Sequence, residues 1–200
     1  GEGPDPGGIS YLEAAVVVER VSSSIEQNAS AVVAPNTVFQ QLEGFGASGA
    51  WYENWLLAHP KRNELYDIMF GQLGLDIYRL RNTFGISGNN IRDSAAIIRA
   101  AEASLGHPVK ILISSWSPPA SLKSNNNTVR GTLKKDSSGN YMYDEFAQWW
   151  ADSLAEFSRR GIDVNYISIQ NEPDYLTDWD TCKLTPTESS EWAGYNLAFE

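Results

Sequence analysis

Between residues 41 and 170 the chain repeatedly follows a short apolar run with a stretch of helical periodicity, and this order restricts the fold more than any other feature of its 200 residues. Gln41-Leu42-Glu43-Gly44-Phe45-Gly46 reads as a strand that ends in glycines, and Arg62 to Leu73 sets Leu65, Ile68, Met69 and Leu73 at helical spacing. Asp76 to Arg81 is the second strand, followed by an Ala-rich helix over Asp93 to Ser104 that Leu105-Gly106 closes. Val109 to Ser115 is the third. After a long loop through Tyr141, the helix Asp144 to Arg160 puts Phe146, Trp149, Trp150, Leu154 and Phe157 on one face and stops at Gly161. Val164 to Gln170 is the fourth strand, and Thr185-Pro186-Thr187-Glu188 opens a last helix with a capping box and proline at its first position.

Strands in series with helices, each mostly apolar, predict a parallel sheet with helices outside, an α/β fold. A closed eight-stranded barrel takes about 250 residues. Residues 1–13 read as a flexible start and 14–40 as short β-branched strands (Val16-Val17-Val18, Ser30 to Val33, Thr37 to Gln40), so 41–200 has room for half a barrel. A half barrel has two open, aggregation-prone edges, and the last helix reaches Glu200 without a stop signal, so the chain is expected to be the N-terminal part of a longer polypeptide. An open doubly wound sheet is the rival, but Gly44-Phe45-Gly46-Ala47-Ser48-Gly49 has the wrong spacing for a dinucleotide fingerprint.

Composition removes other functions. Fifteen basic against 25 acidic side chains give a net charge of −10, the wrong sign for a nucleic-acid backbone. The apolar runs Ala14 to Val18 and Lys110 to Ile113 are far shorter than the roughly 20 residues of a membrane span. His59, His107 and Cys182 are too few and too scattered for a zinc site, and no cofactor is implied. Without a Gly-x-Ser-x-Gly elbow, a serine triad has no anchor. Cys182 is either a buried thiol or the partner of a cysteine outside this sequence. The acceptors at Asn28 and Asn126 would matter in a secreted eukaryotic protein.

In a barrel the reactive residues sit at the carboxyl ends of the strands. There, Gln170-Asn171-Glu172-Pro173 places an amide and a carboxyl side by side, and Pro173 ends the ladder. Glycoside cleavage needs one carboxylic acid to protonate the leaving oxygen, a second carboxylate across the sugar, and hydrogen bonds to the 2-hydroxyl. Glu172 and Asn171 suit the first and third needs; the bland alternative is a strand cap and a turn. Trp116 follows strand three, Trp51, Tyr52 and Trp55 follow strand one, and Tyr175 and Trp179 follow strand four, where aromatic planes can meet the C–H faces of sugars. Trp149 and Trp150 belong to a helix stripe and read as core, as Trp55 can too. Arg79, flanked by apolar residues in strand two, is costly to bury without an acid, either a catalytic carboxylate or a structural partner. Arg81 would point the same way. The basic loop Val129 to Lys135 either meets acidic decorations or is simply solvated, and the second reading is preferred.

Gly44-Phe45-Gly46, Ile77-Tyr78-Arg79-Leu80-Arg81, Ser115-Trp116-Ser117-Pro118-Pro119-Ala120-Ser121-Leu122-Lys123-Ser124-Asn125 and Ile167-Ser168-Ile169-Gln170-Asn171-Glu172-Pro173-Asp174-Tyr175 together resemble glycoside hydrolase family 30 of clan A, most closely its xylanases and glucuronoxylanases. The resemblance implies a (β/α)8 barrel with a side β-sandwich to which residues 14–40 contribute. It also implies a secreted, retaining endo-glycosidase that cleaves β-1,4-xylan or glucuronoxylan by double displacement, expected as a monomer with a polysaccharide partner and neither nucleic acid nor membrane. Carried over by position, Glu172 is the acid/base, Asn171 binds the 2-hydroxyl, Arg79 holds the nucleophile and Trp116 walls the cleaved-bond subsite, with Tyr175 and Trp51 as further substrate contacts. The family's nucleophile, a glutamate after strand seven, has no counterpart in this sequence. Relatives that cut β-1,6-galactan, β-1,6-glucan or glucosylceramide keep other substrates open, as does a non-catalytic carbohydrate-binding pseudoenzyme if the chain ends at 200.

Overall fold

The computed structural model describes residues 41–86 and 91–195. The strands expected in 14–40, the flexible start and the acceptor Asn28 lie outside the described residues. Four strands, β1 (Gly46–Ser48), β2 (Ile77–Arg81), β3 (Lys110–Ser114) and β4 (Val164–Ser168), form one sheet in the order β1-β2-β3-β4. All adjacent pairs are parallel. The helices α1 (Glu53–Ala58), α2 (Arg62–Tyr66), α3 (Ile91–Leu105), α4 (Tyr143–Arg159) and α5 (Pro186–Tyr195) fill the connections.

In β2 the alternation of the strand decides which side chains meet the helices. Tyr78 and Leu80 are fully buried, and Tyr78 meets the Phe70 ring edge-on at 5.7 Å, so Arg79 and Arg81 lie on the opposite face. In β3, Ile111 and Ile113 continue that core. A bulge between Ile111 and Leu112 shifts the register against β4, and the Asn165 side-chain oxygen accepts the Ile111 N–H at 2.7 Å, replacing the ladder bond that the bulge displaces.

The first strand, expected over Gln41 to Gly46, begins instead at Gly46, and Gln41 to Phe45, Gly44 included, lie before it. A Cβ on Gly46 would stand 2.4 Å from the Ile77 carbonyl oxygen, so only glycine lets β1 approach β2 this closely. The helix expected over Arg62 to Leu73 is α2 continued by a π-helical turn, Asp67–Gln72. The stripe on α4 packs as read: Phe146, Trp149, Trp150 and Phe157 are buried, and the Trp149 indole donates to the Phe84 carbonyl at 2.8 Å. The capping box of α5 is formed in both directions, Glu188 N–H to Thr185 Oγ1 at 3.2 Å and Thr185 N–H to Glu188 Oε2 at 2.7 Å.

Two readings that the sequence left open are decided by the fold. Trp55 is not core: it is 45% exposed on α1, its ring against His59 at 4.9 Å. The basic side chains of the loop, Arg130, Lys134 and Lys135, are solvent-exposed as expected, while the loop they belong to is tied to its neighbours. Val129 and Thr132 bridge to Asp180 and Lys183, Arg130 pairs with Asp178, Lys135 lies over the Tyr141 ring, and Leu133 is fully buried. The loop alternates basic groups with apolar and small residues, and the segment after β4 offers backbone and acids for both to pair with. No helix among the described residues is long and apolar enough to cross a membrane.

Candidate active site

Arg79 leaves β2 toward the neighbouring strand, where its Nε donates to Ser114 Oγ at 2.8 Å. Its Nη2 donates to Asn171 Oδ1 at 2.7 Å. Because a guanidinium only donates, that bond fixes the orientation of the Asn171 amide, and the Nδ2 donates to Glu172 Oε2 at 3.1 Å. The backbone holds the amide as well, through Asn171 N–H to the Ser115 carbonyl at 2.7 Å. Arginine, amide and carboxylate thus form a relay across the carboxyl ends of β2, β3 and β4.

Glu172 is exposed and has φ +44°, a left-handed backbone that costs a side-chain-bearing residue about 1–3 kcal/mol and persists only where its surroundings impose it. Those surroundings are a tight turn, in which the Tyr175 N–H donates to the Glu172 carbonyl at 3.0 Å and the Leu184 N–H to the Pro173 carbonyl at 2.9 Å. Burial lowers the Arg79 guanidinium from its ordinary value, and the Glu172 carboxylate opposes that shift. The sequence led to an acid as the direct partner of Arg79; the hydrogen-bond partners found are Ser114 and Asn171, and the carboxylate is reached through the amide. The amide oxygen meets the guanidinium as an acid would, without a second buried charge.

Trp116 is 7% exposed, its carbonyl accepting from Gln170 Nε2 at 2.6 Å and its ring lying under Arg79, 4.6 Å from Cζ to centroid. Trp51 stands edge-on to it, centroids 6.1 Å apart and planes at 85°. Like Glu172, Trp51 has a left-handed backbone, φ +73°. Arg81 covers the Trp51 ring at 3.7 Å and pairs with Asp180 at 3.3 Å. Glu172, Asn171, Arg79, Trp116 and Trp51 are therefore linked through direct contacts. Tyr175 joins them only through the backbone turn, its side chain 54% exposed beside the site.

Sequence reasoning gave no role to Ser114, Gln170, Asp180 or Lys123. Lys123 is fully buried and donates to Ser117 Oγ at 3.2 Å, to the Arg130 carbonyl at 2.5 Å and to the Thr181 carbonyl, binding the loop after β3 to that after β4. Its one legible signal was a lysine between the apolar Leu122 and the turn-forming Ser124-Asn125. Cys182 beside it is a free buried thiol, pushed up to about 11 by burial.

The model of the glycosyl hydrolase family 30 TIM-barrel domain matches residues 73–187, more than half of the chain. The chain belongs to this family. Among its relatives, Glucuronoxylanase XynC of Bacillus subtilis (strain 168) is 27% identical over 142 residues, covering 70% of this chain and 32% of the relative. Endo-1,6-beta-D-glucanase of Neurospora crassa is 31% identical over 108 residues, covering 54% and 21%. The crystal structure of the family 30 subfamily 8 xylanase from Clostridium acetobutylicum superposes with a TM-score of 0.63 at 28% identity, over 80% of this chain and 40% of that one. This family 30 chain spans about a third of the length of the glucuronoxylanases it matches. Its four parallel strands are barrel strands, which sets aside the open doubly wound alternative.

Proposed function

We propose that this family 30 chain carries the proton-donating half of a retaining glycoside hydrolase that cleaves β-1,4-xylan or glucuronoxylan. The single observation that carries the reading is the relay at the barrel rim, Arg79 to Asn171 to Glu172. Glu172 protonates the glycosidic oxygen as the bond breaks and later takes a proton from the attacking water. Asn171, its oxygen occupied by Arg79, turns its N–H toward the 2-hydroxyl, a hydrogen bond that strengthens as charge develops on the sugar ring. Trp51 and the exposed Tyr175 supply planes for C–H faces, and the buried Trp116 backs the subsite wall by holding Arg79 and Trp51.

The nucleophile is a second carboxylate from outside the four described strands, standing about 5–5.5 Å from Glu172 as a double displacement requires. Arg79 has donors left to hold it, since a guanidinium has five N–H groups and the bonds to Ser114 and Asn171 use two. On this reading residues 41–200 are half of a catalytic barrel, residues 14–40 belong to a side β-sandwich, and the protein acts outside the cell as a monomer.

A second substrate, β-1,6-glucan, is favoured by the 31% identity to the Neurospora crassa endo-1,6-glucanase. Reducing-sugar release from glucuronoxylan, arabinoxylan, β-1,6-glucan and β-1,6-galactan separates the readings. Release from the xylans alone is the expected result; release from β-1,6-glucan alone transfers the assignment, and no release from any substrate, with retained binding, makes the protein a carbohydrate-binding pseudoenzyme.

A further inference from the structure

Arg81 has a surrounding that the acid/base chemistry does not explain. It lies on the same strand face as Arg79, yet it makes none of the contacts of the proton-donating relay. Its side chain is 14% exposed, as is that of its partner Asp180. Three groups face it: the indole of Trp51 from the loop after β1, at 3.7 Å, the Asp180 carboxylate from the loop after β4, at 3.3 Å, and the charge of Glu53 at the start of α1. Its Nη1 is buried with no hydrogen-bond partner. A cation this enclosed is costly. What the arrangement secures is the position of Trp51, whose left-handed backbone needs an outside restraint.

The contacts run in a chain. Arg81 covers Trp51, Trp51 meets Trp116 edge-on, and Trp116 lies under Arg79. Asp180 is also the residue that bridges to Val129, it precedes Thr181, whose carbonyl accepts from Lys123, and it follows the exposed Trp179. One guanidinium therefore ties the loop carrying Trp51 to the loop that carries Glu172, Tyr175 and Trp179.

Building on the glycosidase reading, we propose that Arg81 is a positioning residue that sets the grip on the polysaccharide by fixing Trp51 against Asp180, and takes no part in proton transfer. The residue separates the two tasks of the site: Arg79 aligns the groups at the cleaved bond, and Arg81 sets the walls that hold the chain of sugars. A loss of Arg81 loosens binding shared by ground state and transition state, so it raises KM and spares kcat.

Kinetics on the polysaccharide that the wild-type protein cleaves test this, with Arg81→Met, which keeps the aliphatic stem, Asp180→Asn and the double variant. The expected result is a KM raised about tenfold with kcat changed less than about threefold, an unaltered kcat–pH profile, and a double variant no worse than the worse single one because both cut the same tie. Equal loss of kcat on Arg81→Met, a displaced pH profile, or additive effects of the two changes would overturn it. If Arg81→Met does not fold, Asp180→Asn alone decides, since an unchanged KM there contradicts the tie. A wild-type protein inactive on all the polysaccharides would instead refute the glycosidase reading, and that outcome is seen before any variant is made.

Discussion

Glu53 makes stability depend on pH in a direction opposite to that of an ordinary surface carboxylate. It opens α1 at 7% exposure, and Ser94 Oγ donates to its Oε1 at 2.8 Å. Burial raises its carboxyl from 4.5 to about 7, opposed by the Ser94 bond and by Arg81, with Asp93 adding slightly to the rise. That difference between unfolded and folded chain corresponds to about 3 kcal/mol. Below pH 4.5 the group is protonated in both states and costs nothing. Between 4.5 and about 7 the unfolded chain releases the proton that the folded chain keeps, so stability falls as pH rises. Above that window both states are ionised and the deficit is constant. Glu53→Gln keeps an oxygen for Ser94 and removes the titration. Urea denaturation followed by tryptophan fluorescence, at intervals from pH 4 to pH 8.5, measures the difference between variant and wild type, in which contributions common to both proteins cancel. The variant should gain on wild type by about 3 kcal/mol across the window. Parallel curves, or a wild type that gains stability relative to the variant as pH rises, would refute the assignment of a desolvated, protonated carboxyl at this position.

Two further substitutions follow from the relay and from the buried lysine. Asn171→Ala removes both the partner of Arg79 Nη2 and the donor to Glu172, so kcat on the polysaccharide should fall about 10²-fold or more; a change below threefold would take the amide out of the site. Lys123→Met leaves three acceptors, Ser117 Oγ and the carbonyls of Arg130 and Thr181, without their donor. A loss of about 3 kcal/mol in denaturant unfolding is expected, and a loss under 1 kcal/mol would show that water replaces the ammonium.

The parallel α/β order was legible because β2, β3 and β4 carry concentrated apolar signals and α3 and α4 have clear stops, such as Gly161 after α4 with φ +74°. The first strand was misplaced because Gly46, read as its end, is its first residue and serves close approach to Ile77 of β2, a demand made by the partner strand and invisible in the segment itself. Glu172 and Asn171 could be picked out because their position after a buried strand narrows what an amide beside a carboxyl can do. The direct partner of Arg79 could not, since whether a guanidinium meets an acid or an amide depends on a side chain 92 residues away. The same limit hid Lys123, whose acceptors are mainly backbone carbonyls with no residue signature, and the left-handed backbones of Trp51 and Glu172, which surrounding turns impose.

Glu172→Gln, compared with wild type on the natural polysaccharide and on an aryl glycoside whose leaving group departs without a proton, tests proton donation most directly. Turnover of the polysaccharide should fall by about 10²–10⁴, with bond cleavage in the activated glycoside far less affected. Wild-type turnover of the polysaccharide by Glu172→Gln would contradict the assignment of Glu172 as the acid.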